Sequence, residues 1–141
     1  MKFVITLSTA SLLGLISILH VYWAYGGRWG SVAAIPSRVG EYKPAFTPSK
    51  IGTLIIAILL LYACFILLVQ GGYIHYYFIP NTIIRVGCMV CAFVFFIRAI
   101  GDFKHVGFFK KINHSVFARN DTWLYSPLCL LFGLTYTLLL F

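Results

Sequence analysis

Apolar residues along this chain come in four long runs separated by three more polar connections. The runs cover about 3–25, 51–69, 82–101 and 122–141. Each holds about 19–23 residues, enough at about 1.5 Å per residue to cross a hydrocarbon layer of about 30 Å. Inside such a layer no water satisfies backbone N–H and C=O groups, so a run of this kind is helical. The pattern predicts an all-α protein: a four-helix transmembrane bundle, with residues 1–141 forming a single integral membrane domain. No internal repeat and no low-complexity stretch interrupts it.

Two runs need separate comment. The first, behind Met1 and Lys2, has the position of a signal peptide. It is too long for a signal core, and the bulky, aromatic segment His20–Tyr25 offers no small-residue cleavage site, so it reads as a retained helix. The fourth contains Pro127 near its start. A helix beginning at Ser126-Pro127 is short for a crossing, whereas Asp121 as N-cap gives a full span with a distortion near Pro127. The chain closes on this run at Phe141, which leaves no tail for a soluble function. On the first helix Ala10, Gly14, Ser17, Val21 and Ala24 share a narrow arc. Small residues allow close helix approach, so this arc is expected to face the bundle interior.

The charges change this picture from a span count to an orientation. Nine of the eleven Lys/Arg residues and all three acids fall in or beside 24–50 and 98–121. Arg28, Arg38, Lys43 and Lys50 lie in the first connection. Lys104, Lys110, Lys111 and Arg119 lie in the third, with Arg98 just before it, and the second connection, 70–81, is uncharged. The bias of positive loops toward the cytoplasm puts connections one and three there and both termini outside, with Lys2 a weak opposing charge. Aromatics mark the boundaries: Tyr22, Trp23, Tyr25 and Trp29 by the first helix, Trp123 and Tyr125 by the fourth, and Tyr73, Tyr76 and Tyr77 in the outer connection.

Composition agrees. With 61% hydrophobic and 10% charged residues the chain is unlike a water-soluble domain. The net charge of +8 does not indicate nucleic acid, because the positive residues flank apolar spans and form no continuous stripe. They suit anionic lipid headgroups at the cytoplasmic face. Cys64, Cys88, Cys91 and Cys129 all lie inside apolar runs, where a thiol behaves as a small apolar residue and not as part of a secreted disulfide framework.

Three strings are more specific than the rest: His20-Val-Tyr-Trp-Ala-Tyr-Gly-Gly-Arg-Trp-Gly30, Arg98-Ala-Ile-Gly-Asp-Phe-Lys-His-Val-Gly-Phe-Phe109 and Phe117-Ala-Arg-Asn-Asp-Thr-Trp-Leu-Tyr-Ser-Pro-Leu-Cys129. All fall at the cytoplasmic ends of helices. On these strings, over almost its whole length, the chain resembles the domain-of-unknown-function 3995 family of small four-span bacterial membrane proteins. The resemblance implies a four-helix membrane domain in a bacterial cytoplasmic membrane. It carries over no catalytic residue.

The strings supply the candidate ligand-binding residues His20, Trp23, Arg98, Asp102 and Asp121. His20 suits a haem or metal ligand or a proton carrier. Its structural alternative is a hydrogen bond to a neighbouring helix or to interfacial water, which is favoured because no second histidine has metal-site spacing. A bis-histidine haem would have to pair it with His105 or His114. Arg98 and Asp102 are four apart, on a helix face shared with Cys91 and Phe95, and can pair. Asp121 reads as a cap more than as an acid. Arg85, near the outer end of the third helix, is expected to reach outer phosphates, or alternatively a headgroup or partner. Cys88 and Cys91 have the spacing of a redox pair, but the outer loop offers no partner thiol. No mid-span carboxylate, phosphate-binding loop, His-Glu-x-x-His or nucleophile elbow is present.

Three functions stay open. The first is a non-enzymatic accessory subunit, assembly or immunity-type factor, with a membrane protein partner or a second copy of itself. The next is a ligand- or lipid-binding protein or enzyme with its pocket at the cytoplasmic helix ends. The last is a thiol–quinone redox protein using Cys88 and Cys91. No metal is expected, and the cofactor is left unassigned.

Overall fold

The computed structural model describes residues 2–35, 47–75, 77–111 and 115–141. Arg38, Glu41, Lys43, Tyr76 and His114, which entered the sequence reading as charges, an interfacial aromatic and a haem ligand, lie outside the described residues. The described residues are helical, with no strand among them: α1 Lys2–Ala24, α2 Ser31–Ala34, α3 Lys50–Gln70, α4 Asn81–Ile100, α5 Val116–Asn120, a π-helical turn Asp121–Tyr125, and α6 Ser126–Leu140. The last three run on without a break. Four helices are therefore long and apolar enough to span a membrane, and the chain has the architecture of a small multi-pass membrane protein.

Three of these helices coincide with apolar runs to within a residue. The fourth starts at Val116 and not after Asp121. Its cap is Ser115, whose hydroxyl accepts from the Ala118 N–H at 3.0 Å. Asp121 is not its N-cap. The backbone widens to π geometry over Asp121–Tyr125, just before Pro127. Pro127 has no N–H to continue an α ladder and its ring crowds the carbonyl four residues back, so widening there lets the helix pass the proline.

The helices alternate in direction. Gln70 Nε2 donates to Leu139 O (3.0 Å) and Tyr73 Oη to Phe3 O (3.4 Å), which gathers the start of α1, the end of α3 and the end of α6 at one end. Arg85 Nη2 donates to Leu140 O at 3.4 Å. The side chain expected to reach for headgroups thus sits on the carbonyl end of α6, where a cation is favoured by the exposed helix carbonyls. The described residues of the first and third connections lie at the opposite end.

Polar side chains stitch the helices through backbone carbonyls. Ser17 Oγ donates to Ala57 O at 2.8 Å, Cys64 Sγ to Ala10 O at 3.4 Å, and Tyr136 Oη to Ala63 O at 2.6 Å. The Thr9 and Thr135 hydroxyls meet at 3.2 Å between α1 and α6. The core comprises Leu13, Leu67, Cys88, Phe132 and Tyr136, with Phe95 stacked on Tyr136 and edge-on to Phe132. The small-residue arc of α1 is only partly interior. Ala10, Ser17 and Ala24 are buried, Gly14 is half-buried and Val21 is exposed, while Thr6, Thr9 and Leu13 complete the inward face. Ile18, Ile58, Leu61 and Phe93 point outward, as a lipid-facing surface requires and a water-facing one does not.

Candidate functional site

The densest polar constellation is at the end of α4. Helix α4 stops because Gly101 has φ 87°, a left-handed conformation that turns the chain off the helix axis. The connection folds back at once: Asp102 N donates to Val106 O (3.2 Å) and Phe108 N to Ala99 O (2.9 Å). The fold-back brings Gly107, φ 92°, against Ile100 and Gly101 so closely that a Cβ on either glycine would fall inside the facing backbone.

This turn separates Asp102 from the helix face it was expected to share with Arg98. Asp102 is half exposed, and its Oδ1 accepts from the N–H groups of Lys104 (3.0 Å), His105 (2.7 Å) and Val106 (2.9 Å). Its slight burial works against ionisation, but the three N–H donors and nearby His105 outweigh it and bring the carboxyl down to about 2. The same cradle holds Phe103 at φ 60°, a strained conformation for a residue with a side chain.

Arg98 pairs instead with Asp121. Its Nη2 lies 2.9 Å from Asp121 Oδ1. Asp121 Oδ2 accepts from the Gly107 N–H at 2.7 Å and from Lys110 Nζ at 3.2 Å. Lys110 also donates to Gly107 O at 3.0 Å and to Thr122 Oγ1. Asp121 is fully buried and the Lys110 side chain is 1% exposed. A buried carboxylate is tolerated only when its lone pairs are met by charge and hydrogen bonds, and both oxygens of Asp121 are met here. Asp121 therefore acts as a clamp between α4, the 101–111 connection and the fourth span, in place of the predicted cap. Lys110 and Gly107 were not singled out in the sequence. Their signals there were Lys110's place in a basic connection and Gly107's inside the second quoted string.

Two polar atoms beside the clamp have no partner. Arg98 Nη1 is buried without a hydrogen bond, and so is Ser126 Oγ. Ser126 is fully buried and donates its backbone N–H to Asp121 O, one π turn away, so it follows Asp121 on the same side of the helix.

The other candidates lie elsewhere. His20 Nδ1 bonds the Ile16 carbonyl of its own helix at 2.8 Å, not a neighbouring helix, because that carbonyl one turn back is within reach. Its ring meets Trp23 edge-on at 5.2 Å, and Trp23 Nε1 donates to Trp29 O at 2.8 Å. Among the described residues no hydrogen bond or ion pair joins His20 or Trp23 to Arg98, Lys110 or Asp121. The second and third strings thus meet at Asp121. The region after the first string reaches the third where α2 packs against α5 and where Tyr125 Oη donates to Ala33 O at 3.1 Å. Cys88 is fully buried and Cys91 half-buried, both as free thiols facing the bundle. His105 Nδ1 is 3.7 Å from Asp102 Oδ2. Among the described residues no group of three or more His, Cys, Asp or Glu side chains is placed to hold a metal ion.

A family model described as a protein of unknown function, DUF3995, matches residues 13–136. No curated protein and no solved structure matches the chain.

Proposed function

Because the chain belongs to the DUF3995 family of proteins of unknown function, and because Asp102, Lys110 and Asp121 at the α4 end are tied into structural bonds, we propose that it is a non-catalytic accessory, assembly or immunity-type protein of a bacterial cytoplasmic membrane. The reading rests on one observation above all. Asp121, the carboxylate best placed to move a proton, has both oxygens engaged by Arg98, Lys110 and the Gly107 N–H. A general acid or base needs a free lone pair or proton directed at substrate. Lys110 is likewise committed to three acceptors, and Asp102 to three backbone donors.

In this proposal the end carrying connections one and three faces the cytoplasm and its anionic lipids, and both termini lie outside. The charge bias supports that orientation. The partner is another membrane protein or a second copy of the chain, met through the apolar outer faces. Crosslinking in intact membranes tests the role: a discrete adduct of fixed mass is expected, and recovery of the chain alone counts against it. Reporter fusions active only outside the membrane test the orientation. They should be active at either terminus and silent in the 101–111 connection.

A further inference from the structure

We infer that the Arg98 end of the bundle seats one phosphate-bearing anion, supplied by the headgroup of an anionic lipid. This goes beyond the accessory role and is independent of it. The clamp is electrically incomplete. Two cations, Arg98 and Lys110, close on one carboxylate, leaving one positive charge uncompensated beside an apolar span. Such an excess is costly unless an anion or water meets it.

The two cations are not equivalent. Lys110 is 1% exposed and all three of its donors are engaged. Arg98 is 35% exposed, and Asp121 holds it by Nη2 alone. The guanidinium is a planar fork suited to paired bonds with carboxylate or phosphate, and one arm, Nη1, has no partner. Asp121 thus fixes the fork and leaves the other arm for a second anion. Nη1 is covered, so entry requires what lies over that arm to move while Nη2 stays on Asp121. The unpartnered, fully buried Ser126 hydroxyl follows Asp121 on the same side of the helix, a second polar group left unmatched around the same clamp.

The surroundings indicate the source of the anion. Trp123 is 81% exposed, and Phe103 and Phe109 are exposed with their rings 6.2 Å apart. Exposed aromatics beside the ends of apolar spans mark headgroup depth. At that depth the abundant anions are lipid phosphates.

The test is native mass spectrometry of the detergent-purified full chain, offered phosphatidylglycerol or phosphatidylcholine, with melting curves of the same samples. The wild-type chain should retain one phosphatidylglycerol with about tenfold or greater preference, and its melting point should rise only with that lipid. Arg98→Lys keeps a cation for Asp121 but removes the second arm, and should lose most of the preference while remaining folded. Lys104→Gln, which removes an exposed lysine of the same connection, should keep it. Equal retention by wild type and Arg98→Lys overturns the proposal, as does an equal loss in Lys104→Gln, which would indicate diffuse surface attraction. If Arg98→Lys does not fold, the wild-type curves decide: a melting point that does not distinguish the two lipids overturns the seat. Displacement of the lipid by millimolar glycerol phosphate overturns the lipid as source and points to a soluble phosphate ester.

Discussion

Arg98 and Asp121 stand 23 residues apart and meet at 2.9 Å, joining the end of the third span to the π turn in the fourth. Lys110 closes on the other carboxylate oxygen, so a single buried acid holds three segments. Gly101 ends α4 and the connection folds back, which presents the Gly107 N–H and the Lys110 ammonium to that same oxygen. The Arg98–Asp102 pair suggested by spacing is given up to that turn.

Removing the acid should expose its structural weight. Asp121→Ala leaves the buried Lys110 and the partly exposed Arg98 without their counter-charge, and a loss of about 3–5 kcal/mol is expected. Unfolding followed in mild detergent measures it. An unchanged midpoint would show that the clamp carries no stability.

The two glycine environments predict opposite signs. Gly107→Ala must place a Cβ against Ile100 backbone at φ 92°, so it should destabilise by more than the 1–2 kcal/mol usual for a left-handed residue. Gly14→Ala meets nothing within 4 Å and sits inside α1, so it should be neutral or gain up to about 1 kcal/mol. Comparing the two melting points in one detergent checks both.

Acid should loosen the 102–106 cradle at unusually low pH. The Asp102 carboxyl is depressed from 3.8 to about 2, so its contribution is fully present above about pH 4 and is lost as pH falls through 2. Exchange protection of the Lys104, His105 and Val106 amides should follow that titration and be weakened at all pH values in Asp102→Asn. A midpoint near 4 would mean that the amides do not grip the carboxylate in solution.

Ser126→Ala deletes a buried hydroxyl with no partner. In the lipid-free chain it should leave stability unchanged or raise it slightly, since an unmet polar group is removed without breaking a bond. A loss above about 1 kcal/mol would reveal a partner for the hydroxyl.

The sequence placed the candidate residues at helix ends but not the bonds they make. Even two local bonds were missed: His20 takes the carbonyl of Ile16 one turn back and not a neighbouring helix, and the cap is Ser115 and not Asp121. Asp121 was legible as a polar residue at a helix end and was read as a cap, and its partners were not legible, because they come from 11, 14 and 23 residues away across a reversing connection. Spacing rules describe a helix that continues, and Gly101 ends it.

The sequence by itself determined four helices, the bounds of the first three spans to within a residue and which connections share an end. Those follow from the run of apolar residues, since a bilayer admits no unsatisfied backbone and alternating crossings fix which connections lie together. The tertiary structure alone decided where each charge finds its counter-charge, how far upstream the fourth helix begins, and that Arg98 keeps one arm of its guanidinium unpaired. These depend on the path of the chain beyond Gly101 and on the π turn before Pro127, where a rotation about one backbone bond redirects every side chain that follows.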